Sequence, residues 1–160
     1  MDCQLYDQLP AHKVAYHYPT EEEVDYLVAN LRDSDRLELT ENPYRNPDED
    51  LYHLAQRCVR DSEKVWVVRD SGFPFLLFGV SRISAEVGAP WMFGTDLMSK
   101  HAKRITQLSP LWLQHFNYPV LANLFDTRND THIRWAYRMG FQDVAEYPNN
   151  PAYRLLVRKI

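Results

Sequence analysis

The sequence predicts an α+β fold. It is a three-layer α/β/α arrangement: a central, mixed but mostly antiparallel twisted sheet of about six to seven strands, with helices on both faces. Three observations carry this. Between Lys64 and Thr95, three Val- and Phe-rich segments are separated by tight-turn residues, the pattern of an antiparallel meander. From Asp96 the apolar period becomes helical, and Val120 to Phe125 is then almost wholly apolar, as in a strand buried on both faces. A helix that crosses between two strands makes them parallel, so the sheet must be mixed.

Each element has a local reason. Val14 to Tyr18 alternates weakly and fits a first strand. Thr20 to Glu23 is a capping box with an acidic first turn. The helix it opens is expected to reach about Arg32, with Val24, Leu27, Val28 and Leu31 on one face. Asp33 to Arg45 has no decisive pattern; Asn42-Pro43 and Asn46-Pro47 are turn signals. Pro47 to Arg60 reads as a second helix, with Asn46 as its cap and Leu51, Leu54, Ala55 and Cys58 as its buried stripe.

Lys64 to Arg69 opens the meander, and Asp70-Ser71-Gly72 turns it. Phe73 to Ile83 is the next strand, Glu86-Val87-Gly88 the next turn, and Pro90 to Thr95 the third strand. In the helix from Asp96, Leu97, Met98, Ala102, Ile105 and Leu108 share one face. Ser99, Lys100, Lys103, Arg104 and Gln107 share the other. Ser109-Pro110 reads as the cap and first residue of a restarted helix that ends near Tyr118. After the strand Val120 to Phe125 come a short helix and two closing strands. These strands are Gln142 to Tyr147 and Tyr153 to Lys159, joined through Pro148 to Pro151. A single domain over residues 1–160 is expected.

Composition narrows the function classes. Apolar residues make up 45% and charged residues 25%, the balance of an ordinary globular domain. A net charge of -4 argues against broad nucleic-acid binding, which needs a basic excess. The longest apolar run, Phe73 to Val80, is too short to span a membrane and contains Pro74 and Gly79. No signal-peptide pattern opens the chain, and Cys3 and Cys58 form no CxxC pair, so a reduced, cytoplasmic setting is expected. His12, His17, His53, His101, His115 and His132 form no HxxxH or HExxH pair, and no metal site is expected. Trp112, Trp135 and Tyr44 have no evident place in the core.

The most informative stretch is Asn129 to Phe141, NDTHIRWAYRMGF. Asn129 or Thr131 can cap a helix on which Ile133, Ala136, Tyr137 and Gly140 share a face. Gly140 suits the left-handed residue that ends it. This run resembles the last characteristic segment of the GCN5-related N-acetyltransferase superfamily, where an Asn opens the helix and Gly-Phe closes it. The order of elements from Val14 onward is similar to that superfamily as well.

The resemblance implies acetyl-CoA as cofactor and transfer of its acetyl group to an amine. It implies a cofactor wedge between the two parallel central strands, with the pyrophosphate at the N-terminus of the next helix. Carried onto this sequence, Phe93, Gly94, Thr95 and Lys100 would bind the cofactor, and Asn129 would contact its arm. Asn129 also has the plainer reading of a helix cap, worth about 1 kcal/mol.

Two of the family's features are altered. Its phosphate loop is an Arg or Gln followed by two spaced glycines, whereas residues 94–100 read GTDLMSK. The spaced glycines are missing, and Asp96 would repel a pyrophosphate. Lys100, Lys103 and Arg104 are either compensating cations or the solvated face of the helix. The family often places a Tyr four residues before the glycine, as the acid that protonates the leaving thiolate. That position is Ala136 here, and Tyr137 points about 100° away around the helix. Asp96 and Tyr137 are left as the catalytic candidates, and Glu86, Asp96, His101 and His132 are unranked as general base.

Over Pro90 to Phe141 the chain also resembles the internal virion protein of short-tailed coliphages and its relatives. These share an NxxHIR run before the final helix, present here at Asn129 to Arg134. That resemblance implies a phage origin, with residence in the host cytoplasm or the virion. It implies an alternative role: a catalytically degenerate acetyltransferase fold serving in the virion, in assembly or in binding a host protein.

Overall fold

The computed structural model describes residues 18–159. The strand expected at Val14 to Tyr18 lies outside them except for Tyr18, which is in no strand. Thr20 starts the first helix as its neighbours predict: its Oγ1 accepts from the Glu23 amide, and Glu23 Oε1 accepts from the Thr20 amide. This helix, α1 (Glu21–Ala29), buries Val24, Leu27 and Val28. It stops short of Arg32 because the next residues serve the sheet. Leu31 bridges Thr95, and the Arg32 amide donates to the Gly94 carbonyl.

The segment without a decisive pattern forms a helix, α2 (Asp33–Glu41). It buries no apolar side chain, only Asp35, so polar contacts must hold it in place. The third helix, α3 (Leu51–Arg60), begins later than its predicted start at Pro47. Asp50 caps it by accepting from the His53 amide, while Asn46 makes a turn by accepting from the Asp48 amide.

The meander is β1 (Ser62–Asp70), β2 (Phe73–Arg82) and β3 (Val87–Gly94). The second turn precedes Val87 instead of including Gly88, because Ser84 Oγ accepts the Glu86 and Val87 amides and sets the reversal there. A one-turn helix, α4 (Leu97–Lys100), and a longer one, α5 (Ala102–Gln114), follow. The helical segment breaks at His101, not at Ser109. His101 is drawn out of helical geometry toward Asp70, with its ring stacked on Phe75 at 4.6 Å between centroids.

Pro110 lies inside α5, so the predicted restart does not occur. Ser109 Oγ donates to the Ile105 carbonyl and accepts from Trp135 Nε1. Burial of Ile105, Trp112 and Leu113 along the same face outweighs the proline's lost hydrogen bond. Trp112 and Trp135 are therefore core residues, while Tyr44 is 70% exposed.

The chain closes with β4 (Val120–Asp126), α6 (Asp130–Arg138), β5 (Gln142–Tyr147) and β6 (Asn150–Lys159). β6 starts earlier than predicted, since Tyr147 already faces Asn150 across a two-residue loop with Asn149 at positive φ. The six strands run β1-β2-β3-β4-β6-β5, all neighbours antiparallel except β3 and β4. One face packs Val65, Val67, Leu77 and Phe93 against α1 and α3. The other packs Trp66, Phe78, Leu121 and Leu156 against α5 and α6. No helix among the described residues is long and apolar enough to cross a membrane.

Helix α6 ends as its sequence predicts. Gly140 has φ of 87°, its amide donates to the Tyr137 carbonyl, and the Phe141 amide donates to the Ala136 carbonyl. Both bonds of a Schellman cap are present. Gly140→Ala places a Cβ in a conformation that costs L-residues roughly 1–2 kcal/mol. We expect a loss of stability of that size in urea denaturation, with the slope unchanged.

Candidate functional site

The parallel pair is the functional irregularity of the sheet. β3 and β4 pair only at Val87–Val120 and Gly88–Leu121, and beyond these residues no ladder partners join them. Asn123 Nδ2 reaches across to the Pro90 carbonyl at 2.8 Å. Further along, Gly94 gives its amide to Asp35 Oδ2 and its carbonyl to the Arg32 amide. Backbone groups alternate sides along a strand. Met92, lying between Pro90 and Gly94, therefore turns its amide and carbonyl into the same gap.

Two cavities adjoin this opening. The larger, about 320 Å³, lies between α5 and α6 and is lined by Met98, Ser99, Thr106 and the cationic Arg32, Arg134 and Arg138. No carboxylate lines it. The smaller, about 70 Å³, is lined by Asp35, Glu38, Trp91, Phe93 and Asn123, with no Lys or Arg. Met92, His132 and Trp135 line both.

The acidic side is a buried network centred on α2. Asp35 is 1% exposed, Asn129 2% and His132 5%. Asn129 Nδ2 donates to Asp35 Oδ1 at 3.0 Å and to Glu38 Oε2 at 2.7 Å. His132 Nδ1 lies 2.8 Å from Glu38 Oε2, and the Asp126 amide donates to Glu38 Oε1. Arg32 pairs with Asp35 at 2.8 Å. All four carboxylate oxygens of Asp35 and Glu38 thus face protein donors. Asp35, Glu38 and His132 lie within 4.8 Å of one another and could hold a metal ion. Their oxygens are already engaged and Arg32 already balances charge, so we read them as an ion-pair network.

Burial favours the neutral form of His132, and Arg32 acts in the same direction. The Asp35 and Glu38 carboxylates outweigh both and hold its imidazole above the ordinary histidine range.

The predicted site residues are distributed unevenly around this opening. Phe93 contributes a side chain to the small cavity and to the α1–α3 core, and Gly94 has its backbone engaged by α2 and the preceding residue. The Thr95 amide donates to the Phe75 carbonyl, and Thr95 Oγ1 accepts from the Leu97 amide. The Met98 and Ser99 amides donate to the Thr95 and Asp96 carbonyls, so the start of α4 keeps its donors for itself.

Lys100 is drawn to Asp70, 3.1 Å away. His101 and Lys100, with Ser71, hold the Asp70 carboxyl well below the usual carboxylate range. His101 is thereby structural. Asp96 and Glu86 are exposed, and Tyr137 is 49% exposed; none lines either cavity. Asn129 is the helix cap by position, but its side chain makes no capping bond and serves the network instead. Of the general-base candidates, only His132 reaches the opening.

Asp35, Glu38, Arg32, Arg134 and Arg138 are the residues that sequence reasoning missed. The i, i+3 pair Asp35 and Glu38 and the i, i+4 pair Arg134 and Arg138 were the available signals, since each shares one helix face.

Asn129→Ala removes the shared donor of two buried carboxylates. Hydrogen bonds to charged groups are worth about 1.5–3 kcal/mol each. We expect the loss in chemical denaturation to exceed the roughly 1 kcal/mol of a simple cap. His132 also sets a pH dependence. Its raised folded pKa contributes stability that is fully present below about pH 6.5 and is lost as pH rises through the folded value. Glu38→Gln is expected to flatten that fall when melting temperature is followed from pH 6 to 9.

No known family profile matches the sequence, and no curated protein matches it. Solved structures do match. Ard1 from Thermoplasma volcanium aligns with a TM-score of 0.66 at 13% identity, covering 92% of this chain and 98% of that one. A GCN5-related N-acetyltransferase from Kribbella flavida gives 0.64 at 10%, covering 94% and 99%. Salmonella typhimurium yncA, solved with its cofactor acetyl-CoA, gives 0.56 at 9%, covering 92% and 94%. At these identities the likeness shows the fold: this chain has the fold of the GCN5-related N-acetyltransferases.

Proposed function

We propose that the protein transfers an acetyl group from acetyl-CoA to an amine. One observation carries this reading: two cavities of opposite charge meet at the splayed strands and share the wall formed by Met92, His132 and Trp135. The cationic cavity suits the phosphates of the cofactor, and the smaller one, whose carboxylates are already engaged by protein donors, suits a small amine acceptor. Met92 offers an unpaired backbone donor and acceptor to the amide-rich pantetheine arm. Arg134 and Arg138, on α6, would hold the phosphates in place of a glycine loop. When bound, acetyl-CoA supplies the activated acyl group as a thioester. Trp91 and Phe93 give the acceptor cavity an aromatic wall, which favours a small cationic head.

The second reading is a non-catalytic protein on the same fold. It is favoured by the engaged donors at the start of α4 and by Asn129, committed to α2. The phage origin and virion or assembly role implied by the NxxHIR run belong to this reading, with a protein as its partner.

Thermal denaturation with and without acetyl-CoA separates the two. A ligand at a hundred times its Kd stabilises by about 2.7 kcal/mol, and each kcal/mol raises the midpoint by about 2–4 °C at this size. We expect such a rise, reduced in Arg134→Ala and Arg138→Ala. No rise at millimolar cofactor would exclude transfer and direct the search to a protein partner.

A further inference from the structure

We propose that His132 is the residue that carries the proton between the two cavities, with Glu38 as its positioning partner. The inference rests on the acetyltransferase reading. His132 is the one ionisable side chain that lines both cavities among the described residues. Asp35, Glu38 and Cys58 line only the acceptor side, and the three arginines only the cofactor side.

Its two ring nitrogens are inequivalent. Nδ1 lies 2.8 Å from Glu38 Oε2, which can only accept, so the proton of the neutral ring belongs on Nδ1. Nε2 is buried and has no hydrogen-bond partner. Its nearest charged neighbour is Asp35 Oδ1, at 3.4 Å. In the neutral ring Nε2 then carries the lone pair, 3.4 Å from Asp35 Oδ1, on a ring that lines both cavities.

The charges around it suit the task. Glu38 and Asp35, from α2, favour the imidazolium, and Arg32 opposes them. The remaining neighbour in the network, Asn129 at the start of the same helix, is neutral. The acceptor reacts as the neutral amine, its ammonium proton having passed to solvent; as its nitrogen bonds to the acyl carbon and the carbon–sulfur bond breaks, it loses one further proton to Nε2. Nε2 then returns that proton to the departing sulfur, and the ring is neutral again. No oxidant or further reactant is needed. Cys58, the other soft group lining the acceptor cavity, is excluded as a nucleophile because burial pushes its thiol up to about 11.

His132 also lies four residues before Ala136, on the same face of α6. The group that handles the proton is therefore placed one helical turn from the position where the sequence resemblance expected a tyrosine.

The test has two parts. In isotopically labelled protein without ligand, the ring nitrogens of His132 are followed by NMR across pH. We expect the neutral ring to carry its proton on Nδ1, to titrate above the ordinary value of about 6.5, and to titrate lower in Glu38→Gln. A neutral ring protonated on Nε2 would overturn the assignment, whichever amines react.

Release of CoA from acetyl-CoA is then followed with a panel of small amines, in parallel with the thermal shift by acetyl-CoA. His132→Gln should keep the shift and lose roughly 10²-fold or more in release, the scale of general acid–base catalysis. Glu38→Gln should move the acidic limb of the rate profile down by the change seen in the NMR titration; this variant serves should His132→Gln not fold. A shift with acetyl-CoA, together with wild-type release and pH profile in His132→Gln, would refute the role of His132 and leave the function standing. Neither shift nor release in the wild type would refute both.

Discussion

Two carboxylates buried beneath the opening of a sheet set the terms for the rest of this structure. A buried carboxylate without donors costs several kcal/mol, so Asp35 and Glu38 can exist only where donors converge. The splayed end of β3 supplies the Gly94 amide, the end of β4 supplies the Asp126 amide, and α6 with its cap supplies His132 and Asn129. Tyr153 adds a bond to the Glu38 carbonyl from β6, and Arg128 joins Asp126 to Glu41. Helix α2 is held to four separate elements by polar contacts. This explains how a segment with a single buried side chain, and that one an aspartate, is a helix at all.

The same constraint accounts for the opening itself. Asp35 takes the Gly94 amide, which a continuing ladder would have directed to β4. The strands therefore pair at only two positions and part, leaving Met92 with unpaired backbone groups. A ligand with amide groups can restore those bonds, whereas an apolar side chain buried there could not. The polar network and the opening are two consequences of one event, the replacement of a strand partner by a carboxylate.

Much of the fold was legible because its signals are local. The capping box at Thr20, the turn at Ser71-Gly72 and the cap at Gly140 depend on residues within five positions of each other. Where tertiary contacts decided, sequence pattern failed. His101 breaks a helix because of Asp70, 31 residues away, and Pro110 stays in one because of the core beneath it. The site was less legible for the same reason. The bonds that bring Asp35 and Glu38 to Asn129 and His132 span 91 residues or more, and no local pattern announces them. Of the residues carried over from the resemblance, Phe93 lines the smaller cavity and Asn129 joins the α2 network, while Lys100 is drawn to Asp70. Their donors, however, had been committed elsewhere by contacts that composition and period do not encode.

A fold can keep its geometry while the groups that act on it change places. In the arrangement expected from the resemblance, phosphates lie on the amides of a glycine loop and a tyrosine on the last helix supplies a proton. Here the corresponding amides are closed by Thr95 and Asp96, and Ala136 stands at the tyrosine's position. Polar groups stand on α6 instead: the arginines at 134 and 138 line the larger cavity, and His132 stands in the shared wall. His132 and Arg134 lie within one helix turn, so α6 presents positive charge to the larger cavity and a titratable ring to the shared wall at once. One helix, anchored at its start by the α2 carboxylates and at its end by Gly140, thus fixes both placements. Under the proposed function, a disturbance of that anchor would affect cofactor retention and proton transfer together.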